Sequence, residues 1–215
     1  MKKNALELVF ILDRSGSMSG LERDTIGGFN SMLNKQKQLE GDVFVTTVLF
    51  DHEINLLHDR LNIRSVRLMT GNDYVPRGTT ALLDALGSTI DHIGNIHKYA
   101  RRRDVPEKTL FVIMTDGMEN ASHRFDSKRV KEMIRRQEKK YGWEFMFLGA
   151  NIDAVETGAS FGIRPENSVR FHCDSQGTAL NYRTINDALC SVRQSGAMPA
   201  DWKCSIEADY NARGR

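Results

Sequence analysis

A few oxygen-bearing side chains stand out in this sequence by type and spacing. Asp13, Ser15 and Ser17 fall at i, i+2 and i+4 in FILDRSGSMSG. In an extended loop that spacing points all three the same way. Thr79 and Thr80 precede an amphipathic stretch, and Asp116 ends the apolar run FVIMTD. Two carboxylates with neutral hydroxyls form an all-oxygen donor set, which suits a hard cation. A small octahedral ion that keeps several waters fits better than Ca²⁺, so Mg²⁺ is expected, with Mn²⁺ the alternative. Two carboxylates roughly balance a divalent charge. The ion then stays electrophilic and can accept a further carboxylate from outside.

These groups also have ordinary roles. Asp and Ser after a strand form turns and cap helices, and whichever of Thr79 and Thr80 is not a ligand is expected to cap a helix beginning near Ala81. Asn151 and Asp153 read as a plain turn. The six histidines do not cluster. His97 lies on an apolar seam as a partly buried core residue, His92 faces elsewhere, and His52, His58, His123 and His172 read as surface or hydrogen-bonding residues. Cys173, Cys190 and Cys204 are odd in number and widely spaced, which argues against a disulfide framework or a thiolate metal site. Neither a Gly-x-Gly-x-x-Gly nor a Gly-x₄-Gly-Lys loop occurs, which argues against dinucleotide and nucleotide binding. Arg101–Arg103 and KRVKEMIRRQEKK read as solvated basic faces with glutamates interleaved and without interleaved aromatics, so no nucleic-acid partner is expected.

The candidate ligands need strand ends to hold them, and apolar periodicity supplies strands alternating with helices. Strands are predicted at Leu6–Leu12, Val43–Phe50, Thr109–Thr115, Phe145–Leu148 and Ser168–His172, with a strand pair at Ile54–Leu57 and Ile63–Leu68. Helices are predicted around Ile26, Phe29 and Leu33, along the seam Leu83, Leu86, Ile90, Ile93 and His97, over Asp126–Tyr141, over Ile152–Phe161, and over Thr178–Gln194 as the last element. Being last, that helix either slides against the sheet when the loops bind a ligand or stays rigid and merely closes the core. Such alternation argues for a mostly parallel α/β sheet with helices on both faces. Ligands of such sheets bind at the carboxyl ends of the strands, where all three oxygen-rich loops fall.

At 215 residues the chain has room for one generous domain. Lys and Arg number 30 against 28 Asp and Glu, a net charge of +2 that gives no global field for nucleic acid or an anionic membrane. The apolar runs are too short to span a bilayer, and the N-terminus has no signal-peptide cleavage pattern, so a cytoplasmic protein is expected. One domain is expected over residues 1–195, with 196–215 a tail that is either docked by Trp202 or disordered.

The motif DRSGSM resembles the Asp-x-Ser-x-Ser signature of the metal-ion-dependent adhesion site in von Willebrand factor type A domains. The likeness extends, in order, to RGTTALLDAL and to the strand-end TDG, and covers roughly residues 5–195. It implies a Rossmann-like three-layer sandwich, mostly parallel with one antiparallel edge strand. It further implies a cation, usually Mg²⁺, held by Asp13, Ser15, Ser17, a threonine and Asp116, with an open position for an acidic residue of a partner protein. Counting back from Asp84-Ala85-Leu86 puts Thr80 at the ligand position and Thr79 where the family often has glycine. The chain looks like a small, stand-alone, bacterial-type intracellular member, whose partner and oligomeric state the resemblance does not name. The alternative is a Mg²⁺-dependent phosphohydrolase of the haloacid dehalogenase type, with Asp13 as nucleophile. That chemistry wants an acid two residues later to protonate the leaving group, and Ser15 stands there.

Overall fold

The computed structural model describes residues 1–214. Six strands form one sheet: β1 (Lys2–Asp13), β2 (Asp42–Phe50), β3 (Ile54–Asn62), β4 (Pro106–Thr115), β5 (Glu144–Ala150) and β6 (Ser168–Phe171). They lie in the order β3-β2-β1-β4-β5-β6, all parallel except β3, which runs antiparallel to β2 at one edge. The helices are α1 (Glu22–Lys37), α2 (Leu82–Tyr99), α3 (Ser127–Tyr141), α4 (Ala154–Phe161), α5 (Ser175–Ser195) and α6 (Cys204–Arg213). This is the expected Rossmann-like α/β sandwich.

Right-handed crossovers explain the layers. The chain moves one way along the sheet from β1 to β2 and the other way from β4 to β5 and β6. Its connecting helices therefore fall on opposite faces. Along β1, Leu6, Leu8, Phe10 and Leu12 join the cluster that includes Phe29 and Leu33 of α1 and Ile185 and Leu189 of α5. Val9 and Ile11 join the other, with Leu86 and Ile90 of α2 and Ile134 of α3. A period of two that is apolar on both sides is what a central strand needs. Gly28 seats α1 against α5, because a Cβ there would come within 2.3 Å of the Tyr182 ring.

Three expectations need correction. Residues 54–70 hold one strand rather than a pair: after β3 the chain makes a 3₁₀ turn at Ile63–Ser65. The buried residues Ile63, Val66 and Met69 recur every third position, which no strand can bury on one face. Neither Thr79 nor Thr80 caps α2; its N-cap residue is Ala81, without a side-chain bond. The helix 178–194 is not the last element, because α6 follows α5 and Trp202 is buried beside it, its indole N–H donating to the Glu166 carbonyl at 3.0 Å. Among the described residues no helix is long and apolar enough to cross a membrane.

Candidate functional site

β1 and β4 are neighbours at the point where the strand order reverses, and Asp13 and Asp116 sit at their carboxyl ends. This is the crevice where open α/β sheets place ligands. Asp13 is 2 % exposed. Its carboxylate accepts the Ser15 backbone N–H at 2.7 Å on one oxygen and the Thr115 hydroxyl at 2.5 Å on the other. Its own carbonyl accepts the buried Tyr74 hydroxyl. From there a chain of oxygens crosses the crevice. Ser15 Oγ lies 3.0 Å from Ser17 Oγ, and Ser17 Oγ donates to Asp116 Oδ1 at 2.7 Å.

The loop before α2 closes the third side. Gly16 N–H donates to the Gly78 carbonyl at 3.2 Å, tying that loop to the first. Gly78 has φ +64, and a side chain there would also run into the His52 ring, so only glycine fits. Thr80 is buried, and its N–H donates to Asn120 Oδ1 at 2.9 Å. A Cβ on Gly117 would lie 3.5 Å from Thr80 Oγ1 and 3.6 Å from Ser17 Oγ, so both hydroxyls converge on the residue after Asp116. Thr79 is exposed. The structure thus brings Asp13, Ser15, Ser17, Thr80 and Asp116 together and leaves Thr79 on the surface.

The donor set fits a small divalent ion. Adjacent ligands on an octahedral ion with bonds of about 2.1 Å stand roughly 3.0 Å apart. The 3.0 and 2.7 Å spacings along Ser15, Ser17 and Asp116 match that edge. Electrostatics point the same way. Burial pushes the Asp13 carboxyl up to about 6; the bonds from Thr115 and Ser15 oppose the shift, and the Asp116 charge adds to it. A dication relieves both burial and repulsion.

Supporting contacts come from residues the sequence did not single out. Cys173, past β6, points its thiol at Asp116 Oδ2 (3.6 Å), and burial beside that acid pushes the thiol up to about 12. Asn151, read as part of a plain turn, has φ +54 and donates from Nδ2 to the Asp116 carbonyl at 3.2 Å. α2 is capped from the β4–α3 loop: Glu119 Oε2 accepts the Leu83 N–H at 2.8 Å and Ser122 Oγ the Asp84 N–H at 2.9 Å. A second cluster, Asp51, His52 and Glu53, brings three ligand atoms within 4.8 Å of one another. Asp51 is already paired with Arg14 at 3.0 Å and Arg77 at 2.9 Å, so guanidinium charge takes the place of a metal there.

No protein-family model and no curated protein matches the sequence. Solved structures do resemble it. The vWF domain of the type V pili tip protein Mfa5 from Porphyromonas gingivalis superimposes with a TM-score of 0.61 at 13% identity, covering 90% of this chain and 98% of that one. The von Willebrand factor type A structure from Catenulispora acidiphila gives 0.58 at 13% identity, covering 85% of this chain and 42% of that one. The PilB minor pilin from Streptococcus sanguinis gives 0.61 at 12% identity over 90% of this chain. There the chain spans 63% of the pilin's length, under two thirds. The fold is von Willebrand factor type A-like.

Proposed function

We propose that this chain is a divalent-cation-dependent protein-binding module. Asp13, Ser15, Ser17, Thr80 and Asp116 hold Mg²⁺, with Mn²⁺ the alternative, and the bound ion supplies a Lewis acid for an Asp or Glu side chain of a partner protein. The continuous run of short oxygen contacts from Ser15 through Ser17 to Asp116 carries this reading. Backbone ties among the three loops keep the oxygens in place before the ion arrives, which lowers the cost of assembling the site.

We read the chain as a binder and not a catalyst. Ser15 stands where a phosphohydrolase needs its second acid, and a serine hydroxyl is too weak an acid to protonate a leaving group. The three cysteines are free thiols, which supports a reducing, cytoplasmic compartment.

The test is a melting curve with and without Mg²⁺ or Mn²⁺. At about 100 times Kd an ion bound to the folded state alone adds about 2.7 kcal/mol. For a chain of this size that raises Tm by about 5–10 °C. Asp13→Ala and Asp116→Ala are expected to fold and to lose most of the rise; an unchanged rise in both refutes the site. A generic phosphomonoester is expected to stay intact with Mg²⁺, and phosphate release abolished by Asp13→Asn would overturn the binding reading. Partner capture with Mg²⁺ against chelator then identifies the protein that the ion holds.

A further inference from the structure

At the opposite end of the sheet, the C-terminal halves of α2 and α3 and the start of β4 frame an open groove of about 570 Å³. That volume lies within the range of small-ligand and peptide-anchor sites. Its lining sets the apolar Ile90, Val105, Pro106 and Trp143 beside the polar Asn95, His97, Thr109 and Gln137. Trp143 is 4 % exposed and held rigidly, stacked on Phe111 at 5.3 Å and edge-on to His97 at 5.5 Å. The rim is cationic: Lys98 ends α2, Arg102 lies in the turn before β4, and Arg136 and Lys140 come from the last turns of α3. All four are exposed, and the acids Asp91 and Glu107 oppose them. Arg103, Arg135 and Lys139, also exposed, carry the positive charge beyond the rim.

The glutamates interleaved in α3 do not neutralise this groove. Glu138 is half-buried and turns toward Arg164 at 3.9 Å, and neither it nor Glu132 lines the groove. What reads in the sequence as a balanced solvated helix contributes, in space, two cations to a groove whose rim carries four cations against two acids.

We propose that this groove binds an acidic peptide segment of a partner protein, a large apolar residue seated on its apolar residues and flanking Asp or Glu side chains on the rim. Those apolar residues give the anchor its burial, and long Lys and Arg stems let the charges reach acids on either side. A nucleic-acid strand fits less well. The exposed Tyr99 and Tyr141 rings each already carry the ammonium of their neighbouring lysine, at 4.9 and 5.3 Å. Base stacking would have to displace them. The groove needs no metal, because none of Asp13, Ser15, Ser17, Thr80 or Asp116 lines it.

The experiment uses the full chain in chelator, so that its outcome is separate from that of the cation site. Three fluorescein-labelled probes are titrated: a peptide with one phenylalanine between two pairs of aspartates, the same peptide with asparagines, and an oligouridylate of eight nucleotides. The acidic peptide is expected to bind about tenfold or more tightly than its amide counterpart and to weaken steeply with added salt. The double variant R136E/K140E is expected to lose about tenfold or more, while K35E/K128E, with the same charge change outside the groove, binds as the parent does. Absence of binding, equal binding of the acidic and amide peptides, or full binding by R136E/K140E overturns the proposal. Tighter binding of the oligouridylate reassigns the groove to nucleic acid. A dimer of the unliganded chain that R136E/K140E dissolves reassigns it to a second copy.

Discussion

Asp84 lies one helical turn beyond Thr80, and its carboxylate accepts three backbone N–H bonds from the β4–α3 loop: His123 at 3.0 Å, Arg124 at 2.9 Å and Phe125 at 2.8 Å. In return that loop caps α2 through Glu119 and Ser122, so the two loops that carry Thr80 and Asp116 lock each other. Burial alone would push the Asp84 carboxyl up, but the three N–H donors and the Arg124 charge outweigh it and hold it below the ordinary carboxylate range. A carboxyl depressed in the fold stabilises above its unfolded value, near pH 4, and that contribution is lost as pH falls through the folded value. Asp84→Ala is expected to cost about 2–4 kcal/mol at pH 7 in urea unfolding, because three donors lose a charged acceptor. The gap between parent and Asp84→Asn is expected to narrow from about pH 5 to pH 3; a constant gap would mean the charge contributes nothing. At this scale Asp13, Ser15 and Ser17 were legible from one short motif, Thr80 from the loop before an amphipathic helix and Asp116 from a strand end. Thr115, Asn151 and Cys173 were not, since their roles depend on strand order. Only once Leu12 pairs with Met114 does Thr115 fall level with Asp13.

At the scale of elements, α5 carries side-chain ties to the helix that follows it. α5 is tied to α6 by Thr184 Oγ1 to Ser205 Oγ at 3.0 Å and by Gln176 Nε2 donating to Asp209 Oδ1 at 2.8 Å, while Trp202 and Ile206 are buried in the cluster beneath them. A shift of α5 would break these contacts, which lie in its first half. In amide exchange, a Mg²⁺ titration is therefore expected to protect residues 13–20 and 78–81 and to leave 175–195 unchanged. Trp202→Ala is expected to cost about 3–5 kcal/mol and to speed exchange throughout α5. Unaltered α5 protection in that variant would show that α6 does not hold α5 in place. The strands other than β3, and α1 to α5, were legible because each carries an apolar period. α6 was not, because Ile206 is its one buried residue and a single buried position has no period. The loop after β3 misled because its apolar residues pack one at a time rather than as an alternating face.

At the scale of the molecule, the sheet separates two polar constellations that have no group in common. Near the start of β1, Glu7 is fully buried on the α2 face, and its Oε2 accepts Arg60 Nε of β3 at 2.8 Å and His97 Nε2 of α2 at 3.1 Å. Asp13 lies six residues along the same strand, on the order of 20 Å away. Removing Glu7 leaves a guanidinium and an imidazole without their acceptor and strips the tie between the edge strand, the central strand and a helix. Breaking a buried charged cluster from one side costs about 3–5 kcal/mol. For this chain length that corresponds to a fall in Tm of about 6–20 °C for Glu7→Ala, with a smaller fall for Glu7→Gln, which keeps the shape and one acceptor oxygen. Effects at sites this far apart with no partner in common add within about 0.5 kcal/mol. The stabilisation given by saturating Mg²⁺ is therefore expected to be the same in Glu7→Ala as in the parent, and the losses in the double variant Glu7→Ala/Asp116→Ala to equal the sum of the single losses. A Mg²⁺ increment that shrinks in Glu7→Ala would mean that β1 transmits strain along its length. The cation site and the Glu7 cluster would then be a single cooperative unit rather than two independent ends of one rigid strand.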